Sequence, residues 1–226
     1  MGKLDGRVAI VTGAAQGIGA AFAKALASEG SRLVIADLDT GASVVEEIQS
    51  AGGVAVDVPT DVSTKDGCEN MVSKAIESFG RLDILVNNAA IFTAVERKNF
   101  DDIPVDEWDA VMGVNVRGVW LGCCAAVPEM RKNGYGKIIS ISTGRVFKGT
   151  PFFLHYDASK AAVIGITRSL AREVGDDNIC VNAIAPGSTM SENVVARTNW
   201  KGGNAAATMQ TRAIKRHEEP EDLVGA

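Results

Sequence analysis

The stretch "RVAIVTGAAQGIGAAFAKALASEGSRLVIAD", residues 7–37, contains two short apolar runs separated by a glycine-rich turn and an amphipathic segment. The runs at 7–12 and 32–37 are rich in β-branched residues and are typical of buried strands, whereas 17–29 has the apolar spacing of a helix. A strand, a helix and a second strand joined by short turns predict a βαβ unit whose two strands are parallel.

The same alternation continues through most of the chain. Four further apolar runs predict strands at 53–58, 83–88, 136–142 and 179–185. Amphipathic stretches predict helices at 40–50, 64–79, 105–132 and 156–174. Near-continuous hydrophobicity in the strands is typical of a parallel sheet that is covered on both faces. We therefore predict an α/β fold, a doubly wound parallel sheet of Rossmann type, in one domain over residues 1–226.

Three segments between and after these elements carry further predictions. Ser63, followed three residues later by Asp66, predicts a capping-box start for the helix at 64–79. The polar, weakly periodic stretch 187–217 predicts a mobile excursion from the domain. The final "EEPEDLVGA", residues 218–226, predicts the beginning of another helix.

Composition and charge argue against several classes of protein. The 226 residues carry a net charge of −5 with a pI near 5.2, which disfavours nucleic acid or an anionic membrane as the partner. No uninterrupted apolar run approaches about 18 residues, and the N-terminus lacks a signal-peptide pattern. The four cysteines have no metal-binding spacing, and adjacent Cys123 and Cys124 suit a reduced compartment. We expect a cytoplasmic protein with no metal site, no nucleic acid and no membrane partner.

The turn "TGAAQGIG", residues 12–19, places Gly13, Gly17 and Gly19 between the first strand and the first helix. Glycines let the backbone approach a pyrophosphate, and the helix N-terminus offers N–H groups and the positive end of its dipole. The spacing differs from the G-x-G-x-x-G of the general dinucleotide fingerprint. A tight strand–helix connection would also explain the glycines, so the turn by itself leaves both interpretations open.

An acidic residue at the end of the second strand favours the nucleotide interpretation. Asp37 lies 18 residues beyond Gly19, where a carboxylate can accept hydrogen bonds from an adenosine ribose and would repel a 2′-phosphate. The neighbouring Ala36 and Leu38 and the loop residue Gln16 carry no positive charge, which favours NAD over NADP. The alternative is that Asp37 only begins a turn.

Two further pairs of side chains are candidates for function. Asp61 and Val62, after the third strand, would meet an adenine edge, although Asp61 would equally cap the following helix. Tyr156 and Lys160 are four residues apart in a predicted helix and so lie on one face. A phenol beside a buried ammonium is either a proton-transfer group or a simple surface contact.

Together these residues resemble the short-chain dehydrogenase/reductase family in its compact, single-domain branch. The motifs that carry the resemblance are "TGAAQGIG" (12–19), Asp37, "DILVNNAA" (83–90), Asn115 within "GVNVRG" (113–118), "IISIST" (138–143), Tyr156-x3-Lys160 and "APG" (185–187). Each motif is weak alone, but they occur in family order and spacing from residue 7 to about 190. The resemblance implies a nicotinamide cofactor and an oxidoreductase activity.

The resemblance also implies which residues bind the cofactor. They are Gly13, Gln16, Gly17, Ile18, Gly19, Asp37, Leu38, Asp61, Val62, Asn87, Ala89, Tyr156, Lys160, Pro186, Gly187 and Ser191. Residue 90 is alanine where the family usually has glycine, and its methyl group would crowd the nicotinamide ribose. The substrate loop would be about 188–217.

In this family a tyrosine transfers the hydroxyl proton of the substrate while the nicotinamide transfers the hydride. Lowering the tyrosine pKa from ~10 by ~2–3 units requires about 3–4 kcal/mol. One ammonium about 4 Å away supplies roughly that at an effective dielectric of ~20, so we expect Lys160 to lower the pKa of Tyr156. The resemblance gives Lys160 a second role on the nicotinamide ribose and makes Asn115 the holder of a water that joins Lys160 to a proton relay. The alternative for Asn115 is to stabilise a kink in its helix.

The family usually has a serine thirteen residues before the tyrosine, and here that residue is Thr143, preceded by Ser142. Consecutive strand residues point to opposite faces, so the two hydroxyls cannot aim at the same atom. We predict that Thr143 orients the substrate oxygen, because its hydroxyl has the donor and acceptor capacity of serine. The alternative is that the strand end bends and Ser142 takes this role. The predicted catalytic set is Asn115, Thr143, Tyr156 and Lys160.

Several aromatic residues surround the catalytic motifs in the sequence: Phe92, Phe147, Phe152, Phe153 and Trp200. In a chain with 5% aromatic residues, this clustering predicts an apolar pocket for an aryl or alicyclic secondary alcohol, or its ketone. Packing of the same rings under a loop is an equal alternative. Arg145 would suit an acidic substrate, although a solvated arginine is the default.

The sequence thus predicts a hydride transfer between NAD and a secondary alcohol or ketone, small and aromatic or cyclic. The alternatives are an NADPH-dependent 3-oxoacyl-thioester reductase, which Asp37 opposes, and a cofactor-binding protein with little turnover. The resemblance implies a homotetramer or homodimer formed through the helices at 105–132 and 156–174. Members of the family continue with a final strand and helix. We expect these to be missing here, which would leave the sixth strand as an exposed edge.

Overall fold

The computed structural model of the protein describes residues 2–196, 210 and 212–225. The described residues form one sheet of six parallel strands: β1 Val8–Thr12, β2 Arg32–Asp37, β3 Val54–Pro59, β4 Ile84–Asn87, β5 Gly136–Ile141 and β6 Ile179–Ile184. The strand order is β3-β2-β1-β4-β5-β6, which is the doubly wound order of a Rossmann-type fold. The predicted fold class is confirmed.

The helices are α1 Gly17–Ser28, α2 Ala42–Ser50, α3 Lys65–Phe79, α4 Val105–Met112, α5 Gly118–Asn133, α6 Leu154–Glu173 and α7 Glu192–Ala196. They cover both faces of the sheet and create two apolar cores. Phe22 of α1 and Ile48 of α2 belong to one core, whereas Met71 of α3, Cys123 of α5 and Val163 of α6 belong to the other. Burial on both faces explains why the strands of this sequence are apolar at nearly every position.

The sheet topology creates the crevice where a ligand can bind. β1 pairs with β2 on one side and with β4 on the other, so the chain order reverses beside β1. In open α/β sheets, ligands bind at the carboxyl ends of the strands next to such a reversal. The glycine turn after β1 and the "NNAA" segment after β4 lie at this position.

The start of α3 differs from the prediction. The N-cap residue is Thr64, whose hydroxyl oxygen accepts a hydrogen bond from the Gly67 backbone N–H at 3.1 Å. Ser63 instead donates its hydroxyl to the Asp61 carboxylate at 2.7 Å, and its backbone N–H donates to the same oxygen at 2.9 Å. The capping-box prediction for Ser63 and Asp66 was therefore wrong by one residue, because a serine, an aspartate and a threonine within four positions all compete for the cap.

The predicted helix at 105–132 is interrupted in its middle. A π-helical turn, Gly113–Arg117, separates α4 from α5, and Asn115 lies within it, fully buried. Such turns widen a helix and are frequent at functional sites. By length and composition the combined helix Val105–Asn133 would reach across a membrane, with a mean hydropathy of 1.5 in its most apolar window. Half of that window is buried inside the domain, as in the core helix of a soluble protein, so the match is weak evidence for a membrane span.

The segment after β6 folds back onto the domain. Thr189 and Glu218 form an isolated parallel bridge, and the Thr189 hydroxyl donates to the Glu218 carboxylate at 2.7 Å. The predicted helix of the last residues is a single 3₁₀ turn, Pro220–Leu223, whose Leu223 joins the α1 side of the core. Residues 197–209 and 211 of the predicted substrate loop, with Trp200 among them, lie outside the described residues.

Candidate active site

The glycine turn after β1 forms a cradle that a side chain would fill. Gly13 and Gly17 have positive φ angles of 63° and 60°, which favour glycine. A Cβ at Gly13 would lie 2.7 Å from the Ala89 Cα, and one at Gly19 would lie 2.2 Å from the Gly13 carbonyl oxygen. The turn therefore packs on β4 and on itself without side chains, and it leads into the N-terminus of α1, where backbone N–H groups suit the pyrophosphate of a dinucleotide.

Two residues that the sequence reasoning missed hold this turn against β4. The Asn88 side-chain amide donates to the carbonyl oxygens of Thr12 and Gly13, each at 2.9 Å. The Thr12 hydroxyl oxygen accepts from the backbone N–H groups of Asn88 at 3.0 Å and Ala89 at 3.1 Å. The feature of the sequence that could have revealed Asn88 is the pair of asparagines at the end of β4. The carbonyl groups of the neighbouring glycine turn need hydrogen-bond donors, and an asparagine side chain can supply them.

Asn87, which was predicted as a cofactor contact, has its side chain inside the fold. Its amide donates to the Ser140 hydroxyl at 3.3 Å and to the Cys123 sulfur at 3.6 Å. The side chain therefore links β4 to β5 and α5, and it supports the crevice from below. Consecutive strand residues alternate between faces, so Asn88 rather than Asn87 points to the glycine turn.

Asp37 lies at the far side of the same turn. Its Oδ2 accepts from the Ala15 backbone N–H at 2.9 Å, and its Oδ1 accepts from the Asp39 N–H at 3.2 Å. The carboxylate thus makes the local turn contacts of the alternative interpretation and also faces the glycine turn, as the nucleotide interpretation requires. Leu38 is exposed at the rim.

Asp61 and Val62 behave differently from each other. Asp61 accepts both of its hydrogen bonds from Ser63, in the turn that precedes the Thr64 N-cap, so the carboxylate shapes the approach to α3 and does not cap it. Val62 is buried against Gly118, where a Cβ would lie 3.0 Å from a Val62 methyl group. The side chains therefore support the wall of the crevice at this strand end.

Tyr156 lies in the first turn of α6 and is almost completely buried. Its ring contacts that of Phe92, with centroids 4.8 Å apart and planes tilted by 42°. Burial raises the pKa of the phenol above its usual range, whereas the positive charge of Arg145 and a hydrogen bond with the Thr143 side chain act in the opposite direction. At neutral pH the phenol is protonated and able to donate.

Lys160 is buried one turn further along α6. Its ammonium donates to the Ile141 carbonyl oxygen at 2.7 Å and lies 6.0 Å from the centre of the Tyr156 ring. Burial lowers the pKa of Lys160 to about 8. The expectation that Lys160 lowers the pKa of Tyr156 is not met here, because the ammonium is directed at β5 and desolvation of the phenol dominates.

The two hydroxyls at the end of β5 point in different directions. The Ser142 hydroxyl is buried and donates to the Lys160 carbonyl oxygen at 2.9 Å. The Thr143 oxygen accepts from the Arg145 backbone N–H at 3.3 Å and meets the Tyr156 side chain. Of the two, the structure brings Thr143 together with the phenol, and Ser142 fastens β5 to α6.

Asn115 joins three elements behind Tyr156. Its Oδ1 accepts from the Ile91 N–H at 2.8 Å, and its Nδ2 donates to the Ile91 carbonyl at 3.2 Å and to the Ser159 hydroxyl at 3.0 Å. The Ser159 hydroxyl donates to the Tyr156 carbonyl oxygen at 2.7 Å. These contacts match the alternative in which the asparagine stabilises an irregular helix turn. A role with water remains a prediction.

The segment after β6 reaches both halves of the site. The Pro186 carbonyl oxygen accepts from the Gly144 N–H at 2.8 Å, which places it beside the Thr143 turn. Buried Ser191 approaches the glycine turn, because a Cβ at Gly17 would lie 3.5 Å from the Ser191 Cβ. The predicted cofactor residues on either side of the crevice are therefore neighbours in space.

The predicted aromatic cluster is only partly assembled. The rings of Phe92 and Phe153 are 6.3 Å apart, and Phe92 also packs on Tyr156. Phe147 is 75% exposed and Phe152 is 41% exposed, so these two rings are at the surface of their loop. The apolar wall next to the phenol is thus made by one ring from the loop after β4 and one from the loop before α6.

A glycine turn at the reversal point of a parallel sheet, with a phenol and an ammonium on α6 beside it, defines a dinucleotide-binding oxidoreductase. Comparison with known proteins identifies the family. The chain matches the family model for short chain dehydrogenases over residues 7–202. It is 43% identical over 197 residues to an uncharacterized oxidoreductase of Thermotoga maritima, a match that covers 86% of this chain and 76% of that protein.

Solved structures agree with the sequence comparison. The short chain dehydrogenase of Burkholderia cenocepacia in complex with NADP has a TM-score of 0.87 and 34% identity, and the match covers 99% of this chain and 89% of that one. The 3-ketoacyl-(acyl-carrier-protein) reductase of Brucella melitensis, complexed with NADH, has a TM-score of 0.87 and 29% identity with the same coverage. The chain belongs to the short-chain dehydrogenase/reductase family and is an NAD(P)-dependent oxidoreductase.

Proposed function

We propose that this protein transfers a hydride between NAD and a small aromatic or cyclic secondary alcohol or its ketone. The observation that carries the proposal is the buried Tyr156 phenol, whose ring packs on Phe92 and whose side chain neighbours Thr143 at the end of β5. A carbonyl oxygen bound there would meet a proton donor and a second hydroxyl, with an aromatic ring beside its carbon substituents.

Each residue of the site has a chemical role in this proposal. The glycine turn and the N-terminus of α1 hold the pyrophosphate, and Asp37 accepts from the ribose. The bound nicotinamide supplies or accepts the hydride. Thr143 orients the substrate oxygen, and Tyr156 donates the proton in reduction and receives it in oxidation. Lys160, whose ammonium is held on the Ile141 carbonyl oxygen, binds the nicotinamide ribose in this proposal, which is the second role that the family resemblance implies.

The preference for NAD rests on Asp37. Its carboxylate accepts from the Ala15 N–H at the glycine turn, so a 2′-phosphate approaching there would meet a negative charge instead of a basic side chain. One structural relative is complexed with NADH and another with NADP. The shared fold therefore does not decide between the two cofactors, and the choice depends on individual residues near the ribose. Asp37 is the residue in this chain that supports NAD.

The proposal is tested by a panel of substrates with both cofactors. Aryl, alicyclic and aliphatic secondary alcohols, their ketones and a 3-oxoacyl thioester are assayed with NAD(H) and NADP(H) at 340 nm. We expect the highest kcat/KM with an aryl or alicyclic substrate and NAD(H), and a shift toward NADP(H) in Asp37→Asn. Preference for the thioester would instead favour the alternative, a 3-oxoacyl-thioester reductase like the Brucella protein. Cofactor binding without turnover of any substrate would identify a binding protein.

Substitution of the two hydroxyls at the end of β5 tests the assignment of Thr143. We expect Thr143→Ala to reduce kcat/KM about 10²-fold, because it removes the hydroxyl that meets the phenol. Ser142→Ala removes a buried hydrogen bond to α6 and should lower the free energy of unfolding by about 1 kcal/mol with a small effect on turnover. Steady-state kinetics and urea denaturation of both variants measure this difference. The opposite order of kinetic losses would assign the role to Ser142.

A further inference from the structure

A partly buried ion pair beside Tyr156 has no part in the roles proposed above. The Arg145 guanidinium donates from Nε to Asp157 Oδ1 at 2.9 Å and from Nη2 to Asp157 Oδ2 at 3.1 Å. Nη2 also donates to the Thr150 carbonyl oxygen at 3.3 Å, and the guanidinium carbon lies 4.7 Å from the centre of the Phe153 ring. This two-pronged geometry is the strongest that an arginine and a carboxylate can make. The Arg145 guanidinium is therefore paired with Asp157 and is not a free cation for an acidic substrate.

Each partner of this pair is attached to a residue of the catalytic site. The Arg145 backbone N–H donates to the Thr143 hydroxyl oxygen, and Asp157 follows Tyr156 directly in the first turn of α6. The side chains are 25% and 17% exposed, so water screens their charges only weakly. The Arg145 guanidinium stacks on Phe153, whose ring neighbours Phe92, and Phe92 in turn packs on the Tyr156 ring.

We propose that Arg145 and Asp157 are positioning residues that tune Tyr156 with opposite signs, the guanidinium favouring the phenolate and the carboxylate opposing it. The proposal rests on the proposed function, in which Tyr156 transfers the proton. Both members of the pair act on the phenol through space.

The other charged groups around Tyr156 are committed elsewhere. Lys160 is bound to the Ile141 carbonyl oxygen, 6.0 Å from the ring centre. From α4, Glu107 pairs with His155 at 3.1 Å and with Lys98, which neutralises its charge. Consistent with this arrangement, the Arg145 charge lowers the pKa of Tyr156 and the Asp157 charge raises it. Of the charged groups named here, Arg145 and Asp157 are therefore the two whose removal should change the electrostatic potential at the Tyr156 hydroxyl.

The experiment uses the two variants that break the same pair from opposite sides. Arg145→Gln and Asp157→Asn both weaken the same hydrogen bonds, so a purely structural role predicts similar losses in both. Under the proposal, the acid limb of the pH profile of kcat/KM for alcohol oxidation moves up by about one pH unit in Arg145→Gln and down by a similar amount in Asp157→Asn. Arg145→Lys keeps the positive charge, so the acid limb should stay at its wild-type pH. The variant should have a lower melting temperature, because lysine cannot make the two-pronged contact with Asp157.

An arginine–aspartate pair at the other end of the strands, more exposed than the site pair, is the control. Arg131 donates to Asp177 at 2.7 Å between the end of α5 and the loop before β6. Arg131→Gln and Asp177→Asn should leave the pH profile unchanged. A limb that moves in the same direction in both site variants, or in neither while both remain folded, overturns the proposal.

A readout without turnover separates this inference from the proposed function. The chain has two tyrosines, so Tyr135→Phe leaves Tyr156 as the single tyrosine. A fluorinated tyrosine, whose phenol is more acidic, is incorporated at this position, and its ionisation is followed by fluorine NMR. The titration midpoint should be highest in Arg145→Gln and lowest in Asp157→Asn. If no substrate is turned over but this order is found, the proposed function fails and the tuning by the pair stands. Any other order overturns the tuning.

Discussion

Replacement of Tyr156 with phenylalanine is expected to reduce kcat/KM about 10³-fold in either direction of the reaction. The substitution removes the phenolic hydroxyl and keeps the ring that packs on Phe92 at 4.8 Å. Folding and NADH affinity should therefore change little, and the loss should appear in kcat. Initial rates at 340 nm with the best substrate of the panel measure the effect, and NADH fluorescence titration measures cofactor binding.

Two further variants make this result specific. Tyr135→Phe removes the other phenol of the chain, which lies outside the site, and should keep wild-type rates. Lys160→Met removes the buried ammonium and should abolish most of the oxidation at neutral pH, with weaker cofactor binding as well. Undiminished oxidation by Lys160→Met, or full activity in Tyr156→Phe, would show that the proton is transferred by another group.

The fold was predictable because burial on both faces of the sheet leaves a strong pattern. Each predicted strand agrees with the structure to within one residue at either end, since an apolar run that ends in a polar residue or glycine fixes its own limits. The π-helical turn at Gly113–Arg117 was foreseen only as the alternative in which Asn115 stabilises a kink, because the residues of the turn have ordinary helical spacing. Its cause is tertiary: the Asn115 amide is pulled to the Ile91 backbone and to Ser159.

The positions of the site residues were more predictable than their energetics. The i, i+4 spacing placed Tyr156 and Lys160 on one helix face, but it could not show that the ammonium bonds the Ile141 carbonyl oxygen. The sequence likewise could not show that burial outweighs charge at the phenol. Asn88 was missed for a related reason, because the need for its amide arises only once two carbonyl groups of the turn are brought to β4.

The structure of the glycine turn leads to the second large effect. Gly13→Ala is expected to lower the free energy of unfolding by about 3 kcal/mol and to weaken NADH binding at least about tenfold. The left-handed backbone at φ 63° costs alanine about 1–2 kcal/mol. The remainder comes from the new Cβ, 2.7 Å from the Ala89 Cα and 3.0 Å from its nitrogen, at a strand end that cannot retreat because the Thr12 hydroxyl and the Asn88 amide hold it.

Gly52→Ala is the matched control for this prediction. Gly52 also has a positive φ, at 86°, but a Cβ there would meet no atom within 4 Å. The control should therefore lose only the backbone contribution, about 1–2 kcal/mol, and keep its NADH affinity. Urea denaturation gives the two free energies, and fluorescence titration gives the two affinities. The contrary result is equal destabilisation in the two variants with NADH binding retained in Gly13→Ala. It would mean that the turn tolerates a side chain at residue 13 and that the glycine serves only the backbone conformation. A bound pyrophosphate would then not require glycine there.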